Sequence, residues 1–498
     1  MLRLCCRRYI GIQMDRFLVG LSPVRTLVIV VAALLSGCRH TVLPDASFPQ
    51  DDVVDLPLLL PSDSTHEWYR DVHPGTFAFY RSRGFQPIWV DYTAVADSLT
   101  RFIGEVRYRG LLPASYHYGE LVKPVVPPWN RQTLLRRDVI LTDAFIALRL
   151  DLNAGRTRPH SGKDRARVAA SLARLIDGGG LIRDLRSAEP RSSEYEGLKE
   201  GLAHLLAIAD SSDRRKILSG AISGSSPLFE NVRVIEANLE RWRWEKDWGD
   251  RYVYVNVPSL SVEVIESGRA VLTSRAIVGK PNNQTPSFSS VIQCFITYPY
   301  WHVPRRIAVE EFLPFIQRDT SFIKRNNFDV LDRKGRLLNS DSLPWQRYSR
   351  DYFPVMLRQR EGNENSLGVV KFQFDNPYAV FIHDTNAPRL FRYEKRALSH
   401  GCIRMEKATQ LAHYLVTGAV NVKSPLIERY LREKQRHTVD LANPIPVHIR
   451  YFTAAFRNGG LVFYDDIYDK DRALILKLTP TSGASADAIN IRYSGTVE

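Results

Sequence analysis

The most constraining feature of this 498-residue sequence is a change in hydrophobic spacing near residue 227. Before that point, apolar residues recur every three or four positions, as in Leu198, Leu202 and Leu205, which places them on one face of an α-helix. After it, apolar and polar residues alternate, as in residues 252–257 (YVYVNV), which is typical of β-strands. The sequence therefore predicts a multidomain α+β protein, with a helical block over residues 66–228 followed by a β-rich block.

The first forty residues indicate export. Five arginines precede the apolar segment 27–35, which is too short to cross ~30 Å of hydrocarbon as a helix. Leu35-Ser36-Gly37-Cys38 resembles the lipobox of bacterial lipoproteins, so we expect residues 1–38 to be a signal peptide that ends at a lipidated Cys38. The alternative is an ordinary signal peptide, or a short anchor, with a coincidental cysteine. Arg39, in place of Asp, favours the outer membrane for such an anchor.

Composition and net charge limit the class of protein and the kind of partner. Hydrophobic residues make up 44% and charged residues 24%, which excludes a mostly disordered chain and a polytopic membrane protein. The net charge of +14 falls to about +10 without the leader, which carries five arginines and one aspartate. For an exported basic chain, we expect anionic partners in the cell envelope rather than nucleic acid. The sequence gives no indication of the oligomeric state.

The cysteines separate into a leader set and a folded set. Cys5, Cys6 and Cys38 belong to the leader or anchor, which leaves Cys294 and Cys402. A disulfide between these two is one possibility in an oxidising compartment. The other is a buried small hydrophobe at one position and a reactive thiol at the other.

One cluster carries chemistry. His383 ends a predicted strand, and Cys402 follows nineteen residues later within the heptapeptide SHGCIRM. A nucleophilic cysteine needs a base or a positive field, and the backbone around Gly401 can approach a developing oxyanion closely. The alternatives are a structural cysteine or a zinc site of His383, His400 and Cys402. A His-x-Cys pair lacks the usual ligand spacing and no fourth ligand is evident, so we expect no metal.

These residues resemble the active-site signature of the L,D-transpeptidases, enzymes that cross-link peptidoglycan. The resemblance extends to the large, multidomain periplasmic type with a helical scaffold domain. It is carried by the segments 238–244 (NLERWRW), 278–286, 298–304 (YPYWHVP), 365–372, 444–447 (PIPV), and, in the helical block, 110–117 and 151–156 (DLNAGR).

The resemblance implies a nucleophile and a base. Cys402 would attack the carbonyl of the third, L-configured linkage of a tetrapeptide stem, releasing D-Ala and leaving a thioester. His383 would accept the thiol proton and later deprotonate the acceptor amine. The product is a cross-link between two third-position residues, and no cofactor is implied.

The remaining motif residues are implied in supporting roles. Backbone N–H groups near His400, Gly401 and Cys402 would bind the oxyanion, while Ser399 and His400 orient the turn. Arg404 would fix the loop or a substrate carboxylate, and a purely structural ion pair is an equal alternative.

The resemblance and the spacing together give the expected organisation. A flexible tether (39–65) and the scaffold (66–228) precede a mixed β-sandwich catalytic domain (229–440), in which a capping segment over about 301–364 covers the cleft. Residues 441–478 are expected to be strands that complete the fold, and 479–498 a loose tail. Few residues separate scaffold and catalytic domain, so the peptidoglycan-binding module usual in this type is not expected between them.

Two other functions compete with the transpeptidase. A thiol hydrolase or L,D-carboxypeptidase would use the same residues with water as acceptor. A catalytically silent lipoprotein would instead tether the membrane to peptidoglycan, but the intact His383 and Cys402 disfavour it.

Overall fold

The computed structural model describes residues 59–123, 131–222 and 226–479. The expected signal peptide with Cys38, most of the tether and nearly all of the tail lie outside the described residues. The chain divides into two units, residues 1–58 and 59–498, and every described element belongs to the second.

The first half of the described chain is helical, as its spacing predicts. Buried leucines on successive helices, such as Leu99, Leu141, Leu172 and Leu185, form one core. The α-helices of this part are Glu67–Arg70, Pro74–Ser82, Thr93–Gly104, Tyr118–Leu121, Arg131–Ala154, Gly162–Asp177, Leu181–Ser187, Ser193–Ile208 and Ser211–Ser219, with 3₁₀ turns at Val106–Arg109 and Pro113–Tyr116.

The helix Pro227–Arg243 joins this scaffold to the strands. Asn238 is fully buried, accepts the backbone N–H of Thr453 (2.9 Å) and donates to its hydroxyl (2.8 Å). On the scaffold side, Glu240 accepts the N–H of Thr157 (2.7 Å). Gly155 has φ +85°, and a Cβ there would lie 2.6 Å from Glu240 Oε1. The close approach at Gly155 therefore explains why this position carries no side chain.

Alternating apolar residues form the strands of the second half. Within the described residues they are β1 Arg251–Asn256, β2 Ser261–Glu266, β3 Arg269–Gly279, β4 Phe288–Thr297, β5 Trp301–His302, β6 Phe328–Leu331, β7 Leu337–Leu338, β8 Met356–Gln359, β9 Val370–Phe374, β10 Ile382–His383, β11 Ala397–Ser399, β12 Ile403–Met405, β13 His437–Arg450, β14 Ala454–Arg457 and β15 Gly460–Phe463.

The main sheet is mixed and closes on itself. Its strand order is β11-β3-β12-β10-β9-β4-β13-β1-β2, and β2 also pairs with β3. Parallel pairs (β1 with β13, β10 with β12) stand among antiparallel ones. Val255, Ile292, Phe372, Ile403 and Val447 are fully buried in one core. The multidomain α+β expectation is thus confirmed, with a ring of strands where a mixed sandwich was expected.

The capping segment has a core and a sheet of its own. Its strands run in the order β5-β8-β6-β7, and Ile316, Val330, Trp345 and Leu357 are among its buried residues. Its helices are Arg305–Ile307, Leu313–Arg318 and Ser321–Arg325, with a π turn at Ala308–Phe312 and 3₁₀ turns at Ser340–Ser342 and Trp345–Arg347.

The C-terminal part departs from the expected strands in two ways. The boundary expected at residue 440 falls inside β13, a fourteen-residue strand between β4 and β1. Residues Asp471–Leu478 are a helix, because Leu474, Ile475 and Leu478 pack against Ala237 of the junction helix. The other helices of the catalytic part are Ala408–Thr417 and Pro425–Glu433, with 3₁₀ turns at Pro281–Asn283 and Pro388–Arg392.

None of the described helices combines the length and the apolar character that a membrane crossing requires.

Candidate active site

Adjacent strands bring the predicted nucleophile and base to one face of the sheet. β10 and β12 run parallel, with Ile382 opposite Ile403 and His383 opposite Arg404. Both isoleucines are fully buried in the core inside the ring. Because side chains alternate along a strand, His383, Cys402 and Arg404 belong to the opposite face.

The imidazole of His383 is fixed in one tautomer. Its side chain is buried, and Nδ1 lies 2.6 Å from the carbonyl oxygen of Asp384. Nδ1 must therefore carry the proton and donate it, which leaves the lone pair on Nε2. Burial, with the positive charge of Arg404 as a second cause, lowers the pKa of His383 to about 3. The imidazole is thus neutral at physiological pH and able to accept a proton.

The carboxylate of Asp384 is turned away from that imidazole. It accepts the backbone N–H of Val369 (2.9 Å), and a Cβ on Gly368 would lie 2.4 Å from its Oδ2. Asp384 therefore orients His383 through its backbone carbonyl, and its side chain secures the neighbouring loop.

The thiol of Cys402 is protonated in the resting site. Burial raises its pKa, while a hydrogen bond from the backbone of Phe381 and the charges of Lys371 and Arg404 oppose that rise. Sγ donates weakly to the carbonyl of Ala379 at 3.8 Å. Among the described residues, no hydrogen bond joins Cys402 to His383, so the pair is placed side by side without being linked.

The loop between β11 and β12 is held by its own serine. Ser399 Oγ donates to the carbonyl of Cys402 (2.5 Å) and accepts the N–H of Gly401 (3.1 Å). This corrects one expectation, because the Gly401 N–H is occupied and is not a free oxyanion donor. In the part of the chain that the structure describes, the N–H groups of His400 and Cys402 find no acceptor and remain for that role.

Two residues that the sequence analysis assigned no role support this loop from below. Thr285 is fully buried; its hydroxyl donates to the carbonyl of Gly401 (2.8 Å) and accepts the N–H of Gly279 (2.9 Å). Tyr468 donates to the carbonyl of Gly279 (2.6 Å) and accepts the N–H of Thr285 (3.1 Å). A Cβ on Gly279 would lie 2.1 Å from the carbonyl oxygen of Asn283, so the loops touch through bare backbone.

His400 contacts the capping segment. Its Nε2 lies 2.5 Å from Oε1 of Glu311, which belongs to the π turn Ala308–Phe312. Another cap residue, Arg306, donates to the side chain of Asn283 (2.9 Å). His400 therefore connects the catalytic loop to the cap, a supporting position consistent with its expected role.

The catalytic face carries two cations without ion-pair partners among the described residues. Arg404 and Lys371 have no carboxylate within salt-bridge distance, so the structural ion pair considered for Arg404 is not formed there. Burial lowers the pKa of both groups, and the proximity of Cys402 opposes that effect. Lys371 Nζ also lies 3.5 Å from the centre of the Phe381 ring. This face is suited to a substrate that carries carboxylates.

Both folded cysteines are free, so the disulfide between them is not formed. Cys294 lies on β4 beside β9, and burial and Asp440 raise its pKa while Lys371 opposes that rise. Over residues 59–123, 131–222 and 226–479, no three His, Cys, Asp or Glu side chains are grouped as a metal site would require.

Comparison with known proteins agrees with this geometry. Residues 250–426 match the model of the L,D-transpeptidase catalytic domain, and residues 75–202 match that of a scaffold domain. A curated protein of Haemophilus influenzae, described as "Putative L,D-transpeptidase", is 33% identical over 247 residues. That match covers 49% of each chain, so the alignment spans about half the length of this relative.

Proposed function

We propose that the protein cross-links peptidoglycan stems through a thioester on Cys402, because residues 250–426 match the model of the L,D-transpeptidase catalytic domain and residues 75–202 match that of a scaffold domain. The observation that carries this proposal is the placement of His383 on β10 and of Cys402 directly before the parallel neighbour β12, at one face with the unpaired cations Arg404 and Lys371. The donor is a tetrapeptide stem, and the bond broken is the one between its third residue and D-Ala.

The first step transfers the acyl group to sulfur. His383 Nε2 accepts the proton of the Cys402 thiol as Sγ attacks the carbonyl carbon of the third residue. The carbon–nitrogen bond to D-Ala then breaks, and the imidazolium returns the proton to the departing amine. The Cys402 thiol and the His383 imidazole are both neutral at rest, so the charges on this pair develop only once a carbonyl is in place.

The N–H groups of Cys402 and His400 bind the oxyanion that forms on that carbonyl. Donors that are already oriented are worth about 3–4 kcal/mol each in related acyl transfers. Ser399 and Thr285 keep the loop in this orientation, because their hydroxyls occupy the competing N–H and C=O groups of Gly401.

The second step releases the thioester. The side-chain amine of a third-position residue on another stem attacks the thioester carbonyl, and His383 takes up the proton of that amine. The carbon–sulfur bond then breaks, and the imidazolium returns the proton to the Cys402 sulfur. The product links two third-position residues. Arg404 and Lys371 bind carboxylates of the stems and so select charged peptide over neutral polymer.

The cap regulates access to this face. It folds around its own core, and the bonds from Glu311 to His400 and from Arg306 to Asn283 attach it to the catalytic loop. Release of these contacts opens the cleft to a long polymer, and their return excludes water from the thioester.

We also propose that lipidation of Cys38 anchors the protein in the bacterial envelope, facing the periplasm, with the outer membrane favoured. Purification of the full chain and mass analysis of its N-terminal peptide tests the anchor. A diacylated Cys38 is expected, and a Cys38→Ser variant would remain unmodified and leave the membrane fraction.

The enzymatic proposal is tested on purified disaccharide-tetrapeptide, with product analysis by mass spectrometry and Cys402→Ala in parallel. A dimer lacking one D-Ala supports the transpeptidase. Tripeptide alone would identify a carboxypeptidase, and no Cys402-dependent product would leave peptidoglycan tethering as the function. A carbapenem should form an adduct on Cys402, and acylation elsewhere would contradict its assignment as nucleophile.

A further inference from the structure

A cavity of about 490 Å³ lies outside the catalytic site, where the junction helix meets the ends of β13 and the start of β4. We call it the junction cavity. Its walls combine aromatic rings with four cationic side chains: Trp244, Phe288, Tyr451 and Phe452 with Arg158, Arg241, Arg450 and Lys470. A concave site with rings and a few charged groups is the usual form of a ligand site.

Half of the cations in this cavity are neutralised by the protein. Arg450 pairs with Glu245 (2.6 Å), which also lines the cavity, and Arg241 pairs with the buried Asp471 (2.6 Å). Arg158 and Lys470 have no carboxylate within salt-bridge distance in the described part of the chain. The cavity therefore has an excess of positive charge.

The two unpaired cations are held in place by rings. The guanidinium of Arg158 lies 4.8 Å from the centre of a Trp244 ring, and Lys470 Nζ lies 4.8 Å from that of Tyr451. Asp466 acts on Lys470 electrostatically, but its oxygens accept the Tyr451 hydroxyl (2.5 Å) and the backbone N–H of Lys470 (2.9 Å). Burial and Arg241 lower the pKa of Lys470, so an anion bound there would relieve an unfavourable charge.

The junction cavity is connected to the catalytic loop through a short series of contacts. Lys470 also lies over the ring of Tyr468 (5.1 Å), and Tyr468 accepts the N–H of Thr285. Thr285 in turn bonds the carbonyl of Gly401. A ligand in the cavity is therefore only a few side chains away from the nucleophile loop.

We propose that the junction cavity is a second peptidoglycan site, in which Arg158 and Lys470 bind carboxylates of a peptide stem. The adjoining cavity of about 830 Å³ shares Arg158, Trp244 and Glu245 and gives the polymer room to continue. This inference rests on the proposed function, since it takes its ligand from the same polymer.

The shape of the site favours a glycopeptide over a membrane surface. The cations lie in the walls of a cavity between aromatic rings, and Lys470 and Trp244 are partly buried. A flat bilayer would bind charges that project from the protein surface. A peptide stem is narrow enough to enter a cavity, and it carries single carboxylates that can reach cations in the cavity walls. A guanidinium binds such a carboxylate through two parallel hydrogen bonds.

The test uses the full chain with Cys402→Ala, so that nothing is turned over. Disaccharide-tetrapeptide is titrated calorimetrically, and hydrogen exchange locates the protected segments. The added variants are Arg158→Ala with Lys470→Met, the charge-preserving pair Arg158→Lys with Lys470→Arg, and the control Arg174→Ala at an exposed helical site outside the cavity. An amidated ligand without free carboxylates tests the charge requirement.

When the disaccharide-tetrapeptide binds, we expect the backbone amides of residues 466–474 to exchange hydrogen more slowly, in addition to those of residues 399–404. The charge-removing pair should weaken the binding linked to 466–474 about tenfold or more. The charge-preserving pair should weaken it less than the charge-removing pair, because it keeps both positive charges but not the two parallel hydrogen bonds at position 158. Arg174→Ala should change it less than twofold, and the amidated ligand should not protect this segment. Equal binding of the disaccharide-tetrapeptide by the charge-removing pair and by the Cys402→Ala parent would overturn the proposal. The two proposals can fail separately. If ligand protects residues 466–474 from hydrogen exchange but the wild-type protein shows no Cys402-dependent turnover, the second binding site is supported and only the proposed enzymatic activity is contradicted.

Discussion

Glu311 in the cap and His400 in the catalytic loop are joined by a 2.5 Å contact, two residues before the nucleophile. The cap is thus bonded to the loop that contains Cys402. Contacts between partly exposed polar side chains add little to global stability. Their value is local, because they fix one surface loop relative to another.

Replacing Glu311 with alanine should therefore loosen the cap without unfolding the protein. We expect faster hydrogen exchange and faster proteolytic cleavage within residues 301–364, and an unfolding free energy within about 0.5 kcal/mol of wild type. The matched control is Glu310→Ala, because Glu310 pairs with Arg306 inside the cap (2.9 Å). Equal exchange rates in the two variants would show that the contact to His400 does not hold the cap.

Thr285→Val should damage the catalytic loop from below. Valine keeps the shape but leaves the carbonyl of Gly401 and the N–H of Gly279 without their buried partner, at a cost of about 1–3 kcal/mol. Urea unfolding measures that loss, and acylation of Cys402 by a carbapenem should slow at least tenfold. Thr285→Ser retains the hydroxyl and should therefore keep most of the wild-type unfolding free energy and most of the wild-type acylation rate. Acylation at the wild-type rate in the valine variant would contradict a positioning role.

Lys371→Met should make the Cys402 thiol harder to ionise. The ammonium opposes the effect of burial on the pKa of Cys402, so its removal raises that pKa further. Iodoacetamide alkylation at pH 8 should slow several-fold, and its pH midpoint should move upward. Lys371→Arg preserves the charge and should react nearly as wild type, as should Lys395→Met at an exposed site. An unchanged pH midpoint in Lys371→Met would show that the charge does not act on the thiol.

His383 should make the protein sensitive to acid. Its pKa is about 3 when folded and near 6.5 in an unfolded chain. Below pH 6.5 the unfolded chain binds a proton that the folded one excludes, so stability falls as the pH drops from about 6.5 toward 3. The loss is at most about 1.4 kcal/mol per pH unit from this group. His383→Gln should show a shallower dependence of unfolding free energy on pH, and superimposable curves would refute the assignment.

Local sequence was sufficient to predict which residues meet at the candidate site. Cys402 and Ser399 lie in one short loop, and His383 follows the apolar run 379–382, which predicts a buried strand. The supports of the loop were not predictable in the same way. Tyr468 reaches Gly279 across 189 residues, and Glu311 reaches His400 across 89, and no periodicity reports such contacts.

The helix Asp471–Leu478 illustrates the same limit. Residues 441–478 were expected to be strands, because the preceding segments alternate and end in a hairpin turn. The helix forms because Leu474 and Ile475 pack against Ala237 on the junction helix. Asp471 Oδ1 also forms an ion pair with Arg241 Nη1 at 2.6 Å. Tertiary packing therefore determines that this segment is a helix rather than a strand, and local sequence patterns do not predict that packing.

The position of β13 also fixes the order in which the main sheet can be completed. A ribosome delivers β1 and β4 early, yet β13 must enter between them before the sheet can close. Tyr468, which follows it, completes the support of the nucleophile loop. Cys402 therefore precedes both β13 and Tyr468 in the chain, so the loop around its thiol gains full support only after these later segments have folded.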